Sequence, residues 1–446
     1  LGRRCGARPT RGQQARQRHE RPKMSGRHLA PGPPRRYSLP MQQPEIILIR
    51  VSGDDKPGLT AAITAELAKF KADILDIGQS VIHDSLTLGI LVRVPTSAES
   101  TPFLKDLLFC AHKLGVNLTF TPVDADNYEN WVDAQGKQRR IVTLLARSLN
   151  AEHIAAVTGV IARNGLNIDI ITRLSGRASL GAATAPRMAC VEFSVRGTPA
   201  DLTTLKSEFL AISADMGVDI AIQKDNAFRR NRRLVAFDMD STLIAAEVID
   251  ELAKAAGVGD QVSAITESAM RGEIDFKESL RRRLRLLKGL PAATLAEVAA
   301  RIPLNDGAQR LIANLKRFGY KIAIISGGFT YFGNRLKEHL GIDYVFANEL
   351  EIVDGALTGG VVGEIVDAAK KAELLRMIAE KEGLSLEQVI AVGDGANDLP
   401  MLGIAGLGIA YHAKPVVKKG AGHSISTLGL DSILYLVGVR DRDTLS

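Results

Sequence analysis

The chain has 446 residues, 46% hydrophobic and 24% charged, ordinary values for a globular chain of about two to four domains. No apolar run approaches the roughly 18 residues of a membrane helix. Three cysteines (Cys5, Cys110, Cys190) offer neither a disulfide framework nor metal-ligand spacing, so a reducing cytoplasm is the expected setting. The charge of +7 is concentrated in residues 1–43, where eleven Arg and Lys face only Glu20. The remainder carries −3, which removes the support for a nucleic-acid partner.

Residues 1–43 are rich in Arg, Gly, Pro and Gln and are expected to be a disordered basic leader. Leu1 stands at the start while Met24 and Met41 follow, so part of the leader is open to being a start-site remnant. A transit-peptide reading is opposed by Pro31-Gly32-Pro33-Pro34, which breaks any amphipathic helix. From 44 to 125 the patterning predicts strand 46–51, helix 59–70, strands 73–82 and 85–94 turning at His83-Asp84, helix 97–114 and strand 117–123. The same order returns in 138–224, with strand 140–147, helix 151–163, strands 166–174 and 189–196, helix 199–216 and strand 218–223. Gly176 to Pro186 reads as a mobile hairpin loop, and Asp225 to Arg233 as a polar, basic linker. From 230 to 446 strands at 234–237, 321–325, 344–347 and 389–393 alternate with helices, which predicts a parallel sheet of Rossmann type. A helical insertion, about 248–305, is expected to form a cap over its site.

Strand 234–237 ends in Asp238, with Asp240 two residues on and Thr242 after that. Two carboxylates at one buried strand end are costly unless something pairs with them, and a divalent cation is the usual partner for such oxygens. The rival reading is an Asp/Ser/Thr turn capping a helix near Leu243. Strand 321–325 runs into Ser326-Gly327-Gly328, read as a hydroxyl and bare N–H groups opening a helix toward an anion. Strand 389–392 runs into Gly393-Asp394-Gly395-Ala396-Asn397-Asp398, and Lys370 and Lys371 offer a cation at a helix start. Each stretch alone also reads as an ordinary turn or solvated lysine.

Taken in order, D-x-D-x-T, a strand-terminal Ser, a Lys and G-D-G-x-N-D resemble the haloacid dehalogenase-like phosphatases. The resemblance implies Asp238 as nucleophile, Asp240 as acid and base, and Mg²⁺ on Asp238, the Asp240 carbonyl and Asp394. It places Ser326, Gly327 and Lys371 on the phosphoryl oxygens, with Asn397 and Asp398 positioning. The family's interval back from Asp394 favours Lys371 over Lys370. Within that superfamily, Glu247, Met270 to Phe276 and Ser279 to Arg283 are similar to the phosphoserine phosphatase family. Ala410-Tyr411-His412-Ala413-Lys414-Pro415 adds to that similarity. The match implies hydrolysis of O-phospho-L-serine in the last step of serine biosynthesis. Glu247 would hold the substrate ammonium, Arg283 its carboxylate, and Met270 and Phe276 an apolar wall. Arg281, Arg282 and Arg285 crowd the same helix, where only one or two of the four can face the site; the resemblance, through the family's spacing from Phe276 and Ser279, favours Arg283. The alternatives are a sugar-phosphatase, a phosphotransferase and a non-enzymatic amino-acid sensor.

The two βαββαβ repeats resemble ACT domains, most tellingly at Asp54-Asp55-Lys56-Pro57-Gly58-Leu59-Thr60. That resemblance implies a homodimer and an amino-acid effector such as serine beside Gly58, where backbone must approach a ligand. The second copy has Ser148-Leu149-Asn150 at that point.

Overall fold

The computed structural model describes residues 45–95, 100–136, 138–177 and 188–445. The basic leader and most of the loop expected at Gly176 to Pro186 lie outside them. The chain divides into two compact units, Leu1–Val132 and Asp133–Ser446. Among the described residues no helix is long and apolar enough to cross a membrane.

The first unit holds β1 (Glu45–Asp54), α1 (Leu59–Lys69), β2 (Asp73–Ile82), β3 (Ser85–Val94), α2 (Ser100–Leu114) and β4 (Asn117–Val123). The strands pair antiparallel in the order β2-β3-β1-β4. Alternate residues Ile47, Ile49 and Val51 of β1 share one core with Leu59, Ile63 and Leu67 of α1. Period two on the strand and about four on the helix thus meet at one interface. Gly58 caps α1 at φ 88° with open space beside it, a conformation that favours glycine. A helix that the sequence reading leaves out, α3 (Ala125–Gln135), follows. It buries no residue, so it has no apolar stripe to read.

The second unit opens with β5 (Arg139–Ala146), α4 (Ala151–Arg163), β6 (Asn167–Arg173), β7 (Ala189–Arg196), α5 (Leu202–Met216) and β8 (Asp219–Lys224), in the sheet order β6-β7-β5-β8. Here the start of α4 is capped by Asn150, whose side chain accepts from the His153 amide at 2.9 Å. The seven-stranded sheet begins with β9 (Leu234–Phe237). A helical insertion follows, comprising α6 (Val248–Ala255), α7 (Gly259–Met270), α8 (Phe276–Leu286) and α9 (Ala293–Arg301). Then come α10 (Ala308–Arg317), β10 (Lys321–Phe329), α11 (Thr330–Leu340), β11 (Tyr344–Val353), β12 (Ala356–Val362), α12 (Ala368–Lys381), β13 (Val389–Gly393), α13 (Leu399–Ile404), β14 (Leu407–Tyr411), α14 (Pro415–Ala421) and β15 (Ser424–Ile425).

The described strands order as β12-β11-β10-β9-β13-β14-β15. All pair in parallel except β12, which returns antiparallel along β11. The expected all-parallel sheet is corrected at that edge. β12 contains Gly359-Gly360, and β15 is two residues long, so neither carries a strand-like pattern. In β9, Val235 and Phe237 enter one core cluster and Leu234 and Ala236 another. The strand is buried on both faces, as its unbroken apolar run requires.

The polar, basic stretch Asp225 to Arg233 is mostly exposed, but two of its side chains anchor it. Arg229 and Arg232 are buried. Arg229 pairs with Glu192 of β7. Nearby, the Asp219 carboxylate accepts from the amides of Ser426 at 2.8 Å and Thr427 at 3.0 Å, and Gln223 Nε2 donates to the Leu436 carbonyl at 2.9 Å. Four cationic side chains in nine residues disguised a packed joint as a tether.

Candidate active site

Strand register assembles the site. Phe237 of β9 stands opposite Ile324 of β10 and Val392 of β13. Asp238, Ser326 and Asp394 therefore emerge one or two residues later at the same sheet edge, at the carboxyl ends of three adjacent parallel strands. Ser326 does not open a helix as expected. β10 continues to Phe329 and α11 starts at Thr330. Ser326 is buried and its Oγ accepts from the Gly328 amide at 3.0 Å. A Cβ on Gly328 would lie 2.7 Å from Asp240 Oδ2, and one on Gly327 2.9 Å from Phe276 Cζ. These glycines let the acid and the cap approach the strand backbone.

Lys371, on the first turn of α12, is 0% exposed. Its Nζ lies 2.9 Å from Asp238 Oδ2 and 2.7 Å from Asp398 Oδ1. Burial pulls its pKa down, but the two carboxylates outweigh that and hold it above the ordinary lysine value. Lys370 instead turns outward to Glu364 and Glu373. Asp238 Oδ1 accepts from the Met239 amide at 2.7 Å. Asp398 Oδ2 accepts from the Gly395 amide at 2.9 Å, so Asp398 orients the lysine with both oxygens engaged. Asn397 folds over Gly395.

Oxygens of Asp238, Asp394 and Asp398 lie within 4.8 Å of one another. Asp394 is raised to about 7 by burial and then by the charges of Asp238 and Asp398, while Thr242 Oγ1 donates to it at 2.9 Å. Asp240 is held well above the carboxylate range by burial, then by Glu247 and Asp238, and its buried Oδ1 has no partner among the described residues. Such an excess of clustered carboxylates fits a hard divalent cation with oxygen ligands. The converging carboxylate set is Asp238, Asp394 and Asp398 rather than one that includes the Asp240 side chain. The contribution expected of Asp240 is its main-chain carbonyl.

A model of the haloacid dehalogenase-like hydrolase family matches residues 235–403, and ACT domain models match 45–121 and 139–223. A phosphoserine phosphatase of Streptomyces coelicolor is 42% identical over 393 residues, covering 88% of this chain and 92% of that one. One from Mycobacterium tuberculosis is 40% identical, covering 88% and 93%. This chain belongs to the phosphoserine phosphatase family. Among solved structures, a HAD family hydrolase of Salmonella enterica serovar Typhi is 34% identical. It covers 67% of this chain and 99% of that one with a TM-score of 0.58. A probable phosphoserine phosphatase of Vibrio cholerae is 37% identical, covering 67% and 86%, with a TM-score of 0.54.

The cap of this phosphoserine phosphatase family member brings its own residues to the edge. Glu247 Oε1 accepts from Ser241 Oγ at 2.7 Å, and Ser241 sits at φ 55°. Of the crowded arginines, Arg281, Arg282 and Arg285 are exposed, and Arg282 pairs with Glu278. Arg283 is half-buried; burial lowers its pKa while Asp250, Glu247 and Asp240 pull it back up. Phe276 heads α8 over Gly327. Met270 departs from its expected place in an apolar wall. It is 64% exposed at the end of α7, its Sδ 3.7 Å from Lys414 Nζ. The turn that follows it, with Gly272 at φ 76°, leaves it at the rim of the cap rather than beneath it.

Two asparagines that sequence reasoning missed hold the backbone in place. Asn348 bridges the Gly327 carbonyl at 2.7 Å and the Val366 amide at 2.8 Å. Asn305 Nδ2 donates to the carbonyls of Ser241, Thr242 and Ile244 at 3.1, 2.8 and 3.2 Å. It thus pins the loop that follows Asp240. Neither lies in a recognisable motif, and only the folded chain shows their partners. Asn305→Asp sets a carboxylate against three carbonyl oxygens, so it should cost about 1–3 kcal/mol in urea denaturation. It should also lower kcat more than Asn305→Ala does; equal kcat in both variants would rule out the pinning role.

Proposed function

We propose that this chain hydrolyses O-phospho-L-serine to L-serine and phosphate through a phosphoenzyme, as the last step of serine biosynthesis. The observation that carries the reading is Asp238 held by buried Lys371 at the sheet edge, with Glu247 near enough to feel the charges of both Asp238 and Arg283. Asp238 attacks phosphorus as the bond to the serine oxygen breaks. Asp240, whose environment favours its protonated form, gives the proton to the departing alkoxide. It then takes one from the water that attacks the aspartyl-phosphate, and Asp238 leaves as a carboxylate. Ser326, the Gly327 backbone and Lys371 hold the phosphoryl oxygens, with Asn397 beside them. Glu247 matches the substrate ammonium, and Arg283 its carboxylate in a two-pronged contact. Phe276 shields the site from water. Mg²⁺ would be held by Asp238, the Asp240 carbonyl and Asp394, where it would neutralise phosphoryl charge.

Gly58, exposed and free of neighbours at the head of α1, supports an amino-acid effector at the first ACT module, serine being the candidate. The self-capped Asn150 gives the second module no such opening. Homodimer formation and a cytoplasmic setting complete the proposal. The test is phosphate release from phosphoserine and from sugar phosphates at equal concentration, with Mg²⁺ and after chelation. Phosphoserine should be preferred and turnover should vanish on chelation. Equal rates on sugar phosphates, or turnover that survives chelation, would refute it.

A further inference from the structure

A cavity of about 240 Å³ lies between β5, α5 and β8 on one side and the start of β14 on the other. Its wall carries Arg140, Lys206, Lys224 and Arg232 against one acid, Glu387. Arg140 and Lys224 are register partners on β5 and β8, so two like charges stand directly opposite, an arrangement that destabilises a sheet. Arg140 is 9% exposed and Arg232 4%. Neither forms an ion pair among the described residues, and the Nε of each is buried without a hydrogen-bond partner. Arg232 reaches only the carbonyls of Arg229 and Gly406, at 3.2 and 3.4 Å.

His423 does not supply a counter-charge. Its ring nitrogens lie 2.9 Å from the Ile222 carbonyl and 3.2 Å from that of Gly408, and burial, with Lys206 and Arg232 adding to it, pushes it down to about 4. Buried guanidinium groups without a counter-charge, each with an unpaired Nε, are unfavourable. The arrangement becomes favourable when an anion with several acceptor oxygens sits among them. The volume suits a small ion with a few waters, since each water occupies roughly 30 Å³.

We infer that this cavity is a binding site for a small phosphoryl-type oxyanion, separate from the sheet-edge site around Asp238. Two buried arginines and two lysines favour an ion of more than one negative charge and three or four oxygens over a lone carboxylate. The full-length chain tests this by its thermal midpoint, with divalent cations chelated and ionic strength held constant with chloride. Inorganic phosphate and sulfate should raise the midpoint saturably, while acetate should not. Lys206→Gln and Lys224→Gln replace side chains that are not fully buried, so both variants should fold. Each removes one charged contact and should weaken phosphate about tenfold. The sheet-edge site is the same in wild type and variants, so its response cancels in the comparison. An identical phosphate response in wild type and both variants would overturn the site. An acetate response equal to that of phosphate would overturn its phosphoryl character.

Discussion

Asp238→Asn should fold normally and lose turnover on phosphoserine by about 10⁴-fold or more, because the amide has no charge with which to attack phosphorus. The shape of the side chain survives, so its Met239 amide contact has an oxygen to keep. Lys371 loses one of two carboxylate partners, Asp238 at 2.9 Å, and keeps Asp398 at 2.7 Å. At the same time the cluster of Asp238, Asp394 and Asp398 loses one of its repelling charges. These opposing effects should leave the thermal midpoint close to wild type, within about 1–2 kcal/mol of stability. Acid-quenched wild type incubated with phosphate-labelled substrate should carry covalent label, and the variant none. Residual turnover within about tenfold of wild type would remove Asp238 from the nucleophile's role.

Lys371→Met should cost about 3–5 kcal/mol in urea denaturation, because it leaves Asp238 and Asp398 buried without their shared cation. The folded pKa of Lys371 lies above the unfolded value of 10.5. Its stabilising contribution is therefore complete below 10.5 and lost only as pH rises through the folded value. Measurements at neutral pH read the full loss. Adding Asp398→Asn to Lys371→Met removes one of the stranded charges and should recover part of the loss, a coupling that a double-mutant cycle measures. A single-variant loss below about 1 kcal/mol, or strict additivity in the cycle, would show that the lysine is not the keystone of the cluster.

The sequence made legible whatever is written locally. Leu234 to Phe237 is apolar on both faces, and Gly393-Asp394-Gly395 follows a strand of the same kind. Ile63 and Leu67 repeat at helical spacing. What it hid depends on distance. Asn305 gains meaning only from carbonyls about sixty positions earlier. Arg229 and Arg232 look solvated until Glu192 and the neighbouring module close over them. Met270 illustrates the opposite failure, since an apolar residue near a motif need not face it. Short edge strands such as Ser424–Ile425 are made by their neighbours' hydrogen bonds rather than by their own composition.

The joint at Asp225 to Arg233 bears on how this protein could be divided. A catalytic fragment cut at Arg233 would discard Glu192, Asp219 and Gln223 together. The amides of Ser426 and Thr427 and the carbonyl of Leu436 would then lose partners that no solvated tether provides. The second ACT module thus shares a compact unit, and buried hydrogen bonds, with the parallel sheet.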